Sequence, residues 1–170
     1  CVAFDWRSQG ILPLAGHGHA DALSFTLSVF GKKVLVDPGT YDYFSYPKWR
    51  NYFRSTAAHN TLCVDGKDQA VIRGPFMWSN CPNVECLAWE PDAHGGRVVA
   101  SHDGYQFLED PVIHRRGLQL DGTVGEVLIC DEVLCQKSHT LAFYFHLAPN
   151  CRIVHSLQNC FIIDTGAGLV

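Results

Sequence analysis

Strict alternation of large apolar with small polar side chains constrains this chain most. In Ala22-Leu23-Ser24-Phe25-Thr26-Leu27-Ser28-Val29 every second residue is a bulky hydrophobe. That period matches the two faces of an extended strand with one face buried, and it excludes an amphipathic helix. Phe30-Gly31-Lys32-Lys33 reads as a turn into a second apolar run, Val34-Leu35-Val36. Similar texture returns at 61–64, 84–90, 97–101, 112–120, 124–130, 140–147, 152–156 and 161–164. Between these runs lie the turn signals Asp65-Gly66, Gly95-Gly96, Asp103-Gly104 and Asp121-Gly122. About ten strands at spacings of roughly 8–12 residues predict an all-β, antiparallel sandwich or barrel. No window of about 11–18 residues keeps helical periodicity.

The chain is 170 residues long, which suits one domain over 1–170 with a single sizeable core. Thirteen Lys and Arg against seventeen Asp and Glu give a net charge of −4. With no basic stripe, a nucleic-acid partner is not expected, because such binding depends on clustered cations facing phosphates. No apolar run approaches the ~20 residues of a membrane helix, so no membrane span is expected. The opening Cys1-Val2-Ala3-Phe4 lacks an initiator Met and reads as a strand cut from a longer protein. The eight cysteines are too sparse for a disulfide scaffold. Cys81/Cys86 and Cys130/Cys135 point to opposite strand faces, and all eight read as small buried hydrophobes.

The stretch 39–60 breaks the alternation. It holds four of the six Tyr, with Trp49, Arg50 and Arg54. Long irregular segments in compact domains usually serve function, and Tyr and Arg present flat polar surface to sugars or proteins.

Chemistry concentrates around this stretch. His17-Gly18-His19 precedes the first clear strand, Asp37 ends the second, and His59 follows the aromatic segment. Two imidazoles and a carboxylate suit tetrahedral zinc, and equally a non-haem iron site. If Val29 pairs with Val34, Asp37 lies opposite Thr26, more than ~20 Å along a straight strand from His19. A sharp bend over 16–20 is therefore required, and Gly16, Gly18 and Ala20 permit one. Asp21 could serve as a fourth ligand, but reads first as a local hydrogen-bonding residue at the strand start. His139 and His146 read as histidines bonded to backbone, and nothing fixes a role for His102 or His114. Neither a Gly-x-Ser-x-Gly elbow nor a phosphate-cradling loop is present, and no catalytic carboxylate pair stands out.

Three ordered blocks carry a family resemblance. Gly16-His17-Gly18-His19-Ala20-Asp21-Ala22-Leu23-Ser24-Phe25, Val36-Asp37-Pro38-Gly39-Thr40-Tyr41 and Phe53-Arg54-Ser55-Thr56-Ala57-Ala58-His59-Asn60-Thr61 resemble the C-terminal β-domain of the heparinase II/III-like polysaccharide lyases. Val64-Asp65-Gly66-Lys67-Asp68-Gln69, His102-Asp103-Gly104-Tyr105 and His114-Arg115-Arg116 extend it. The resemblance implies a large antiparallel β-sandwich that normally follows an N-terminal α/α-toroid, with the active site between the two. It implies β-elimination at a uronic acid of an acidic polysaccharide, heparan-type or alginate-type. Zinc ligands His19, Asp37 and His59 follow from it, as do His17, Tyr41 and Tyr46 in catalysis and Arg54 against a substrate carboxylate. It also implies a periplasmic or secreted bacterial setting, and weak or no activity without the toroid. The alternatives are a non-catalytic acidic-glycan-binding or scaffolding domain and a cupin-like metal enzyme. Cupins place a Glu shortly after His-x-His, where this chain has Asp21 and Ser24.

Overall fold

The computed structural model describes residues 1–11, 14–166 and 168–170. Its strands are β1 (Val2–Phe4), β2 (Phe25–Val29), β3 (Lys32–Leu35), β4 (Leu62–Val64), β5 (Val71–Gly74), β6 (Met77–Ser79), β7 (Val84–Pro91), β8 (Gly95–Tyr105), β9 (Val112–Asp121), β10 (Glu126–Leu134), β11 (Leu141–Phe143), β12 (Arg152–Leu157) and β13 (Cys160–Asp164). Among the described residues, one helix, α1 (Pro47–Phe53), and a 3-10 turn (Thr56–Ala58) interrupt them. All named pairings are antiparallel.

Two layers form the sandwich. One is the meander β10-β9-β8-β7 and the other is β1-β2-β3. A bridge between Leu35 and Leu147 carries the second layer towards the β11–β4 pair. Phe25, Val98 and Leu118 meet between the layers, flanked by Phe4, Leu27 and Ile129. A second core joins Leu62 and Val64 to Tyr105 and Val112, and a third packs Ala15 and Ala20 on Ala70 and Trp78. Among the described residues, no helix is long and apolar enough to cross a membrane.

Several sequence expectations need correction. The β2–β3 hairpin closes at Val29 opposite Lys32, with Phe30 and Gly31 both at positive φ, which is a two-residue turn tighter than the expected one. A bulge follows: Leu27 faces Leu35 and Ser28 faces Lys33, so Val34 is the extra residue. Asp103-Gly104 lies inside β8 at a register shift rather than in a turn, where a side chain at Gly104 would collide with the Gln69 carbonyl. The supposedly irregular aromatic stretch contains α1, seven residues being too short to declare a period. All eight cysteines are free, and Cys1, Cys86, Cys130, Cys135 and Cys160 are exposed, so the buried-hydrophobe reading holds for Cys63 and Cys151 and fails for these five.

The inward row of β9 is polar where it is most buried. Register places His114 beside His102 and Arg116 beside Asp131. The Gly104 N–H donates to His102 Nδ1, so His102 Nε2 donates to His114 Nδ1 and His114 Nε2 donates to Asp131. Burial keeps both imidazoles neutral, with His102 far below the ordinary histidine range. Arg116, fully buried, grips both Asp131 oxygens at 2.7 and 3.0 Å and donates to the carbonyls of Leu23 and Asn60. Replacing Arg116 by Met leaves the half-buried Asp131 carboxylate only its His114 partner and unpairs two carbonyls, and should cost about 3–5 kcal/mol in urea unfolding. Arg115→Ala, at an exposed pair with Glu132, should cost no more than about 1 kcal/mol in the same measurement.

Candidate metal centre and cleft

The bend required by the sequence is present. The Gly18 N–H donates to the Ala15 carbonyl, Ala15 is at positive φ, and the Trp78 indole N–H donates to the Gly18 carbonyl. A Cβ on Gly18 would lie 2.8 Å from both Gln9 Cγ and the Gly10 nitrogen, so only glycine fits there. On this short segment His17 faces outward beside the rings of Tyr43 and Phe76, while His19 lies 5.2 Å from the His59 ring.

His59 is delivered by the 3-10 turn, which is anchored where the Thr56 N–H donates to Asp68 and the Gln69 N–H donates to the Thr56 hydroxyl. The ring is fully buried. Its Nδ1 donates to Asp37 Oδ2 at 2.8 Å, and among the described residues its Nε2 has no hydrogen-bond partner. Asp37 Oδ1 accepts the Gly39 N–H, which closes a tight turn after β3. His19 Nε2 sits 3.2 Å from the Thr40 hydroxyl.

His19, Asp21 and His59 place donor atoms all within 4.8 Å of one another, and Asp37 is bonded directly to His59. Asp21, read from sequence as a local hydrogen-bonding residue, belongs to this group. Burial, helped by His59, Arg50 and Arg54, drives the His19 pKa down to about 4, and burial drives Asp21 up to about 6. Burial is the largest influence on Asp37 and opposes its charge, yet the His59 hydrogen bond and charge and the Gly39 N–H together outweigh it and hold that carboxyl below its usual range. Imidazoles beside carboxylates, with one ring nitrogen left without a partner among the described residues, form a donor set that fits a divalent cation. The group opens into a cavity of about 760 Å³ lined by His17, His19, Asp21, Asp37 and Thr40.

The other candidates are placed as follows. Tyr41, at positive φ, stacks on Phe53 at 5.1 Å and approaches Tyr46, and both phenols are exposed. Arg54 is fully buried and donates to the carbonyls of Gly74 and Pro75 and to Asn51, so its guanidinium lies beneath the loop and not in the cavity. Tyr43, not singled out from sequence, is the tyrosine beside His17, stacked on Phe76 with the Arg50 guanidinium 4.8 Å from its ring centre. No spacing signal marks it among the neighbouring aromatics.

Fold and site together define an all-β domain with a polar cleft and a candidate divalent-metal centre at its rim. The chain belongs to the heparinase II/III-like, C-terminal family, whose model matches residues 1–169. Heparinase III, the BT4657 gene product with methylated lysines, superposes with a TM-score of 0.73 at 20% identity, covering 95% of this chain and 22% of that one. A heparan sulfate lyase HepC mutant from Pedobacter heparinus gives 0.70 at 19% identity, covering 88% and 21%. This chain thus spans about a fifth of the length of those proteins. No curated protein sequence matches it. Membership of this family displaces the cupin-like alternative.

A second cluster lies at the far end of β4. His139 was expected to bond to backbone, but its Nδ1 meets Asp65 at 2.7 Å and its Nε2 meets Asp110 at 3.0 Å, with Cys135 nearby. Only an imidazolium donates from both nitrogens, and the Asp65 and then the Asp110 hydrogen bonds raise the His139 pKa. A raised folded pKa stabilises fully below the unfolded value near ~6.5, and the contribution disappears as pH rises through the folded value. The melting-temperature advantage of wild type over His139→Gln should therefore shrink as pH rises above about 6.5, as followed by thermal denaturation.

Proposed function

We propose that this domain forms one wall of the active-site cleft of a polysaccharide lyase that cleaves a uronic-acid-containing polysaccharide by β-elimination. An α/α-toroid elsewhere in the same protein would form the opposite wall. What carries the reading is the exposed His17 imidazole, two residues from half-buried His19 and in the wall of an open polar cavity, in a member of the heparinase II/III-like family.

The chemistry demands what these residues can offer. The proton α to a uronate is barely acidic while the carboxylate keeps its charge, so donors or a cation must neutralise that group. His17, Tyr41 and Tyr46 are the proposed acid–base groups, taking the α proton and returning one to the bridging oxygen as the bond from the β carbon breaks. His19, Asp37 and His59 are the proposed zinc ligands, with Asp21 in reach as a fourth donor. Bound zinc would supply positive charge at the rim and tie together the three loops that bear its ligands. A non-catalytic glycan-binding role is the second reading, favoured by the exposed rings of Tyr41, Phe44, Tyr46 and Trp49.

Elemental mass spectrometry of the purified protein should find about one zinc per chain, lost in His19→Ala and in His59→Ala. A metal-free parent would overturn the ligand assignment. In the full-length protein, His17→Ala should lower kcat by about 10²–10⁴-fold, followed by the ultraviolet absorbance of the unsaturated product, with zinc retained. Unchanged turnover would favour the binding role.

A further inference from the structure

Gln9 is the least explained residue of the cleft. It is 5% exposed, and among the described residues neither its amide oxygen nor its amide nitrogen has a hydrogen-bond partner. It nevertheless belongs to the wall of the same cavity as His17, His19, Asp21 and Asp37. An unpaired buried amide costs folding free energy at both ends, and native structures seldom keep one without a use for it.

The chain is built to hold Gln9 there. Its Cγ lies 2.8 Å from where a Gly18 Cβ would stand, so the stem packs against the backbone between the two site histidines. Gly10, at positive φ, has room only for hydrogen against the Ala15 carbonyl and the Gly18 nitrogen. The preceding residues are clamped too: the Asp5 N–H donates to the Ser24 carbonyl and the Leu23 N–H to the Asp5 carbonyl. A segment pinned at this many points cannot turn the amide out to water at low cost.

We propose that Gln9 is a substrate-recognition residue of the cleft, its amide pairing with a hydroxyl edge of a sugar ring adjacent to the reacting uronate. An amide both donates and accepts, which matches two neighbouring hydroxyls. Asp5, Asp21 and Asp37 line the same cavity and make a carboxylate or sulfate an unsuitable occupant of that subsite. The assignment rests on the lyase reading above and deepens it.

The test exploits a conflict between stability and binding. Gln9→Met keeps the volume and removes the unpaired amide. In the full-length protein, in a His17→Ala background that prevents turnover, it should raise the ligand-free melting temperature by about 2–4 °C. It should also weaken calorimetric binding of a heparan sulfate hexasaccharide about tenfold or more. A lowered or unchanged melting temperature overturns the inference, because the amide is then structurally satisfied. Hexasaccharide binding that survives Gln9→Met overturns it as well and leaves the lyase reading standing. A His17→Ala parent that binds neither this hexasaccharide nor an alginate hexasaccharide refutes the lyase reading and this assignment together. If Gln9→Met fails to fold, the Gln9 side-chain amide resonances of the parent decide: they should shift on titration with the hexasaccharide, and fixed resonances overturn the proposal.

Discussion

Everything at the cleft depends on the buried side chain of Asn60 and the arginine behind it. The Asn60 amide nitrogen donates to the carbonyls of Phe25 and Val36, and its amide oxygen accepts the His146 N–H. Its main-chain N–H donates to the Ser24 hydroxyl, and its carbonyl accepts from Arg116. One residue thereby ties the segment after His19 and Asp21, the strand end before Asp37, and His59 itself to the opposite sheet. Each of these bonds is modest alone, but burial makes leaving any of them unmade expensive. The ion pair of Arg116 with Asp131 gives the hub a fixed backing, and His114 and His102 complete it without a second buried charge.

Electrostatically the rim and the backing layer are opposites. In the backing layer the one strong cation is met by a carboxylate in bidentate geometry, and every histidine nitrogen there has a partner. At the rim, His19 is stripped of charge by burial, Asp21 is reluctant to ionise, and His59 and Gln9 carry unpartnered nitrogens. An arrangement left this incomplete near a cavity is typical of sites that trade stability for binding.

The strand alternation and the need for a bend over 16–20 were legible from local pattern, whereas the grouping of His59 with His19 and Asp37 came from the family resemblance, since spacing alone set them far apart. Asp21 was a candidate fourth ligand ranked behind local bonding on its in-chain neighbours, whereas the fold turns its carboxylate towards His59. His139 misled for the same reason: both its carboxylate partners are distant in sequence. Tyr43 and Gln9 could not have been found, since their positions depend on Phe76 and Arg50 in one case and on the close backbone approach of Gly10 and Gly18 in the other. Helix α1 left one cue, Pro47 in its first turn, but seven residues carry no readable period.

The bulge at Val34 gives the β2–β3 hairpin a parity that the cleft inherits. Asp37 comes three residues after the extra residue, so its facing is set by an odd count from the turn. Loss of that one residue would leave the hairpin regular and every apolar contact type available, yet present Asp37 on the opposite side of the chain from His59. Length changes between Val29 and Asp37 are therefore tolerable only in pairs, a rule of arithmetic imposed on a loop that touches solvent along most of its length.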